Sequence, residues 1–495
     1  MPSNPVVRLR TDDSDVVTTI RAGIARIQAE LDVTPDFPPE VLAAAEKASG
    51  SPRLPDLDRT DLDFVTIDPE TAQDLDQAVH VQRGPGGAGE GDEGYVVHYA
   101  IADLAAFITP GDPVDVEANE RGETLYGADS KVPLHPPAIS EDAGSLLPDQ
   151  VRPALLWTIR VDAAGEGTDI HVERALVRSR AKLSYESAQA MLDDGTASET
   201  LVLVKEIGEK RIVRDAARGG VSLPLPDQEI DIADGRWSLE YRSLLPIEEW
   251  NAQISLLTGF GAASLMVYAR VGLLRTLPDP DPRDVQRLHR TARALGVEWP
   301  AEMLYPDFIR ALDPHRADHA AVILASARLL RGSGYVAFDG EVPAEPQHSA
   351  LASEYAHVTA PLRRLADRYA GEVCVALCAE KPVPQWVLAA LPELPSTMQR
   401  SSQRARTYER AVVDLVEAGL LVDRVGEVFD AVVVAVDEKR PERGTAMVRS
   451  LGVEAPVSDA GPLPLGEDVR VRLDTADVTE RKVRFSLVSE QPTRS

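Results

Sequence analysis

Apolar residues recur at helical spacing near the start of the chain, at Val16, Val17, Ile20, Ile24, Ile27 and Leu31, with Asp12 to Asp15 suited to a helix start. A second short helix opens at Pro38-Pro39 and runs through Val41 to Lys47, before the proline-punctuated stretch Ser51 to Asp58. The pattern then becomes mixed. Strand-like runs at Asp63 to Asp68, Tyr95 to Ile101 and Ala154 to Val161 alternate with turn-rich loops. From Ile247 to Ala379 helical patterns dominate, at Glu248 to Arg275, Asp284 to Leu295, His319 to Arg331 and Pro361 to Cys378, and another follows over Ser396 to Ala418. After Leu421 the period shortens again, and Val425 to Val436, Thr445 to Val453, Asp468 to Leu473 and Lys482 to Val488 read as strands. Four or five short strands in about 70 residues suit a small closed barrel of the OB type.

This order makes an α+β chain: a helical preface over residues 1–53, a mixed domain over 54–380, a helical connector over 381–420 and a barrel over 421–495. A length of 495 residues is enough for two to four domains at about 150 residues each. The two cysteines, Cys374 and Cys378, lie one helical turn apart in an apolar run, which excludes a disulfide framework and reads as core. No secretory start is visible, and no apolar run is expected to reach the roughly 18 residues of a membrane span, so a cytoplasmic, monomeric protein without membrane attachment is the expectation. The formal charge of -28 argues against an open basic groove for nucleic acid. Net charge acts at long range, however, and leaves room for a local cationic channel.

Two segments carry chemistry. In Thr66-Ile67-Asp68-Pro69-Glu70-Thr71-Ala72-Gln73-Asp74-Leu75-Asp76-Gln77-Ala78, three aspartates fall within nine residues of a strand-to-turn passage. Carboxylates packed this closely repel unless cations separate them, and an all-oxygen set suits Mg²⁺ or Mn²⁺. Turn capping beside Pro69 by Asp68 and Asp74 is the bland alternative. In the second segment, His357 to Arg368, Thr359 is placed to cap a helix opened by Pro361, so Arg363 and Arg364 fall in its first turn. Cations there oppose the helix dipole, and a bound phosphate would relieve them; neutralisation by Asp367 is the alternative.

Weaker constellations add little. Gly84 to Gly94 is glycine-rich but lacks the Gly-Lys-Ser/Thr ending of a phosphate loop, so it reads as a hairpin insert and no nucleotide cofactor is expected. His315 and His319 have zinc-like spacing without a third ligand, and Ser353 and His357 lack a nucleophile turn, which leaves acyl transfer unsupported. Arg400, Arg404, Arg406 and Arg410 read as a solvated face of their helix.

The two chemical segments resemble the signature stretches of the ribonuclease II family, whose catalytic domain is the RNB domain. The likeness continues through Ala100-Ile101-Ala102-Asp103 with Pro110-Gly111, Glu120-Arg121-Gly122 to Tyr126, Pro133 to Pro136, Ser145 to Pro148, Arg178 to Tyr185 and Ile247-Glu248-Glu249. It implies an RNB catalytic domain of mixed sheet and long helices followed by an OB-type barrel. It implies a 3′-to-5′ exoribonuclease that hydrolyses single-stranded RNA to nucleoside 5′-monophosphates with two metal ions. Carried over by position, Asp68, Asp74 and Asp76 match the metal-binding and catalytic aspartates, with Gln77 beside them as a further oxygen donor. Arg363 matches the arginine that grips the scissile phosphate, and Arg364 its basic neighbour. Tyr126 and Tyr185 match aromatics on the terminal nucleotides, and Glu249 or Glu248 an acid near the ribose; help from Asp103, or tighter dependence on Mn²⁺, is the expectation where Gln77 leaves a ligand charge missing.

The chain departs from that pattern at three places. Gln77 stands where well-known members have a further aspartate, so the site lacks one ligand charge. Leu223 replaces an aromatic on which the family stacks a base, and stacking contributes about 1 to 3 kcal/mol per nucleotide. The short helical preface cannot build the family's amino-terminal cold-shock barrels. Two readings follow: an active exoribonuclease, or a degenerate relative that holds RNA 3′ ends without cutting them.

Overall fold

The computed structural model describes residues 9–11, 14–85, 93–128, 130–223, 227–233, 236–242, 244–314, 316–437, 439–448, 450–451 and 453–488. Its centre is a closed five-stranded barrel of Phe64–Ile67, Gln77–Pro85, Glu93–Ala102, Val151–Asp162 and Gly167–Leu183. Neighbours pair antiparallel in that order, and the last strand closes in parallel on the first, with Val65 opposite Ala181. Alternation decides which core each residue joins. Ala78, Ala100, Ala154 and Leu156 cluster with Phe64, Leu75 and Leu146. Their neighbours Val79, Tyr99, Leu155 and Trp157 point to the opposite side, into a larger core shared with the helices Glu199–Arg218, Pro246–Ala269 and Leu365–Cys378. Both faces are therefore apolar. The expected hairpin around the glycine-rich stretch is present as the pairing of Gln77–Pro85 with Glu93–Ala102, and residues 86–92 themselves lie outside the described residues.

A second closed barrel, in the order Val428–Val436, Arg443–Val448, Val453–Ser458, Lys482–Leu487 and Asp468–Asp477, forms the carboxyl-terminal unit. Its aromatics Phe429 and Phe485 meet edge to face at 6.2 Å inside the core, so they are core residues and offer no stacking platform. The helix Leu394–Leu421 lies against this barrel and against the amino-terminal helix Ser14–Glu30, and the three share one hydrophobic cluster. The two helices approach closely because each offers a glycine to the other: a Cβ on Gly23 would stand 2.7 Å from Leu415, and one on Gly419 2.8 Å from Ile20. A cleft of about 750 Å³ runs between the long helix and the barrel, with Arg406 and Arg410 on its wall.

Several elements differ from the sequence reading. The helix expected to reach Arg275 ends at Ala269, where Arg270 turns left-handed at φ 59°, and Val271–Thr276 is a strand paired with Gly334–Asp339. The expected helix from Pro361 begins only at Leu365, so neither Arg363 nor Arg364 lies in a first turn, and Thr359 makes no cap. The helix expected to run to Arg331 stops at Ser326, followed by a 3₁₀ turn. The helices Tyr185–Asp193 and Glu199–Arg218 and the hairpin Asp227–Ala233 with Arg236–Arg242 went unread in the sequence. Against expectation, Pro246–Ala269 is long and apolar enough to cross a membrane by length and composition. In the fold it is a core helix, with Ile247, Ile254, Leu257, Ala262 and Met266 all buried.

Candidate active site

The three aspartates lie on the loop joining the barrel strands Phe64–Ile67 and Gln77–Pro85. That loop is pinned at both ends. On one side the Asp68 amide donates to the Leu183 carbonyl at 3.1 Å, and the Lys182 ammonium donates to the carbonyls of Glu70 and Ala72 at 2.7 and 2.5 Å. On the other, Ser145 Oγ donates to the Gln73 carbonyl at 2.6 Å and accepts from the Leu75 amide at 2.9 Å, while the Leu146 amide donates to the Leu75 carbonyl. The motifs at Arg178 to Tyr185 and Ser145 to Pro148 thus hold the aspartate loop in place.

Arg363 reaches this loop from 287 residues away in sequence. The turn Thr359 to Arg364 is held by three bonds: the Leu362 amide donates to Asp76 Oδ1 at 2.8 Å, the Ala360 amide to Asp367 Oδ1 at 2.7 Å, and the Gln77 side-chain amide to the Thr359 carbonyl at 2.6 Å. A strand-like segment backs it, with the Thr124 amide bonded to the Arg363 carbonyl and the Leu365 amide to the Gly122 carbonyl, both at 3.0 Å. Gly122 is required there. It ends the helix Pro113–Arg121 at φ 76°, and an added Cβ would stand 2.5 Å from Ser401 of the long helix. The outcome is a contact of 3.3 Å between Arg363 Nε and Asp76 Oδ2. Tyr126, two residues beyond Thr124, stands close enough to Arg363 to interact with it and is 42% exposed.

Charge in the site is held by burial and compensation. Burial pushes the Asp68 carboxyl up to about 6, with Arg363 and Lys182 opposing and Asp74 adding to the rise. Burial pushes Asp76 up to about 8, opposed by Arg363 and the Leu362 amide, with Asp74 and Asp367 adding. The Arg363 side chain is 45% exposed; burial alone would lower its pKa, and the Asp76 carboxylate, Tyr126 and Asp367 together outweigh that and raise it. Lys131, opposite Tyr126 in a short hairpin, pairs with Asp74 at 2.8 Å and Glu141 at 2.9 Å.

For a divalent cation the donor chemistry fits: an oxygen-only set in which burial and mutual repulsion of Asp68, Asp74 and Asp76 call for added positive charge. The set is not a preformed shell. Among the described residues no three acidic, histidine or cysteine side chains stand together as a metal cluster, since Asp74 turns to Lys131 and Asp76 to Arg363.

The remaining site expectations divide. Gln77 does not face the aspartates as a free donor, because its oxygen accepts from Tyr99 Oη at 2.7 Å and its amide is spent on Thr359. Arg364 forms a two-point pair with Asp367 at 2.9 and 2.8 Å and faces Tyr335 and Tyr355, so it is a structural cation, neutralised as the bland reading had it. Asp103 is buried, accepts from the Ala105 amide and pairs with Arg174 at 2.8 Å, which commits it to the fold. Glu248 caps its own helix through the Leu245 amide at 2.6 Å, while Glu249 is exposed. Tyr185 opens the helix after Ser184 and stands close enough to Tyr99 to interact with it. Leu223 packs against the cluster of the helical insertion around Leu288 and Phe308.

Other polar groups also have structural partners. His319 accepts from the Asp313 amide, and His315 lies outside the described residues. His357 bonds the Tyr335 hydroxyl at 2.6 Å, which separates it from any serine chemistry. Cys374 and Cys378 are free thiols, the first fully buried. Arg404 is bound to the Glu120 and Arg121 carbonyls, so that part of the arginine face is not solvated. Lys131 was missed by sequence reasoning, although it stands two residues before the quoted Pro133 motif. Ser145 and Lys182 lay inside quoted motifs, but nothing in the sequence shows which loop they hold.

Residues 57–377 match the RNB domain, and residues 427–488 match the RNase II-type exonuclease C-terminal S1 domain. The chain belongs to the RNB family. Ribonuclease R of Escherichia coli K12 is 26% identical to this RNB protein over 478 residues, covering 88% of the chain and 58% of that relative. Exoribonuclease 2 of Serratia proteamaculans is 29% identical over 439 residues, covering 83% and 63%. The RNB chain thus spans about three fifths of the length of these relatives. Among solved structures, the apo form of Mycoplasma genitalium RNase R superposes with a TM-score of 0.83 at 18% identity, over 95% of the chain and 78% of that protein. Yeast Ssd1, described as a pseudonuclease, superposes at 0.67 with 15% identity, over 88% of this chain and 55% of that one. At these identities the superpositions establish the RNB fold and carry nothing further.

Proposed function

We propose that the protein is a 3′-to-5′ exoribonuclease that hydrolyses single-stranded RNA to nucleoside 5′-monophosphates, acting in the cytoplasm as a monomer. The observation that carries the reading is the meeting of Asp76 and Arg363 at 3.3 Å beside Asp68 and Asp74, in a chain whose relatives are named ribonuclease R and exoribonuclease 2. Asp68, Asp74 and Asp76 would hold Mg²⁺ or Mn²⁺, with two ions in all as the family likeness implies. Bound divalent cations supply the charge that acidifies a water and offsets the departing 3′ oxygen.

The chain's own groups do the rest. Arg363 grips the scissile phosphate and balances charge that develops on it, a role for which its neighbourhood of carboxylates holds it protonated. Tyr126 stands beside Arg363 and presents a partly exposed ring to the terminal nucleotide. Asp76, bonded to the Leu362 amide, ties the carboxylate side of the site to the arginine side. Glu249 is free to meet a ribose hydroxyl, the group that distinguishes RNA from DNA.

A 5′-labelled single-stranded RNA incubated with the protein and Mg²⁺ tests this: a descending ladder is expected, and Asp76→Asn should abolish it while leaving a gel shift intact. Arg363→Ala should lower kcat by about a hundred- to a thousand-fold. The second reading, an RNA 3′-end binder that does not cut, draws on Gln77 and on the lack of a preformed acidic shell among the described residues. An intact, shifted band with the wild type would select it.

A further inference from the structure

Gln77 sits next to Asp76, and its side chain points into a hydrogen-bonded chain. Its amide orientation is settled by its partners. The Thr359 carbonyl can only accept, so the NH₂ group faces it at 2.6 Å, and the amide oxygen is left to accept from Tyr99 Oη at 2.7 Å. Tyr99 has a single proton and spends it on Gln77, so Ser255 Oγ, 2.8 Å away, donates to Tyr99. Bonds aligned in this way run from Ser255 on the helix Pro246–Ala269, through Tyr99 and Gln77 on two barrel strands, to the turn that carries Arg363. Each member polarises the next, and Tyr99 and Thr359 are almost wholly buried, so losing a link would strand a polar group away from water.

We infer that Gln77 is a positioning residue, a neutral clamp that fixes the Thr359–Arg363 turn against the Asp76 strand and so sets where Arg363 stands. Besides the backbone bond from the Thr124 amide, the turn is held by the carboxylates Asp76 and Asp367, and a bound cation or phosphate will compete for the first of them. Gln77 anchors the turn to the uncharged barrel core, independently of that competition. An aspartate at 77 could not do this, because its side chain is one methylene shorter and its carboxylate has no N–H to donate to Thr359. At this position the chain therefore has a hydrogen bond in place of a ligand charge.

The inference rests on the reading that Arg363 grips an RNA phosphate, and its test separates the two. Gln77→Met keeps the length of the side chain and removes both hydrogen bonds; Tyr99→Phe removes one link without changing charge. Each variant is compared with wild type, in the native and the Arg363→Ala background, for affinity to a 5′-labelled RNA in EDTA, for kcat and KM, and for the Mg²⁺ concentration at half activation, with thermal melts to show that it folds. Gln77→Met should weaken metal-free RNA binding severalfold and lower kcat about tenfold, with the Mg²⁺ midpoint unchanged and both losses absent once Arg363 is gone. Tyr99→Phe should move the same quantities less. A shifted Mg²⁺ midpoint, or a loss that persists without Arg363, overturns the clamp and makes Gln77 a cation ligand or a purely structural residue. A wild type that binds but does not cut leaves the EDTA arm to decide the clamp; one that does neither overturns both proposals.

Discussion

Asp68 and Asp76 are the residues at which burial and chemistry meet most directly. Their carboxyls rise from an ordinary 3.8 to about 6 and about 8. Between those limits the folded chain holds protons that the unfolded chain has released, so stability falls as pH rises through the window from about 4 to about 8. A cation that binds the ionised forms releases those protons and reverses the loss. In EDTA the Tm should therefore fall from pH 5 to pH 8, and Mg²⁺ should raise it more at pH 8 than at pH 5; an equal Mg²⁺ increment at both would count against these aspartates as ligands. Gly122 makes a second residue-scale case. Gly122→Ala meets a left-handed backbone that costs about 1 to 2 kcal/mol and a clash with Ser401. It should lower both stability in denaturant titration and kcat, because the bond to Leu365 that backs the Arg363 turn starts at the same residue.

At the scale of elements, the helix Leu394–Leu421 carries the most weight. Its buried face is shared with the amino-terminal helix and the carboxyl-terminal barrel, so neither neighbour closes its core without it. Leu415 is fully buried against Gly23. Leu415→Ala should cost about 2 to 5 kcal/mol, and hydrogen exchange should show protection lost in Ser14–Glu30 and in the barrel together; loss confined to one of them would mean that the cluster is not a single cooperative unit. The same helix reaches the site, since Arg404 is bonded to the carbonyls of Glu120 and Arg121, just before Gly122.

Over the whole molecule, a net charge of -28 sets the terms on which a polyanion is met. Among the described residues near the aspartate loop, the cations Arg364 and Lys131 are already paired. An RNA held mainly by Arg363, by stacking and by a cation would release few counterions. Because each phosphate contact on a single strand contributes a slope of about -0.7 in log affinity against log salt, binding measured by anisotropy should depend only weakly on KCl, and a steep slope would point to an extended basic path.

How much of this was written in the sequence varies by scale. Local patterning reported faithfully which stretches bury a face: the helices near residues 16–31 and 396–418, the strands around Val65, Tyr99 and Trp157, and the small carboxyl-terminal barrel. Motif spacing brought out Asp68, Asp74, Asp76 and Arg363, because chemistry that needs those groups constrains residue type position by position. The failures share one cause. That Asp103 belongs to Arg174 and Gln77 to Thr359, that Lys131 faces the aspartates, and that the helix after Pro361 waits until Leu365, all depend on partners brought together by packing. A side chain's charge and period are properties of the local chain. Which partner satisfies it is decided only when segments tens or hundreds of residues apart are folded against one barrel, where every buried polar group must find a mate.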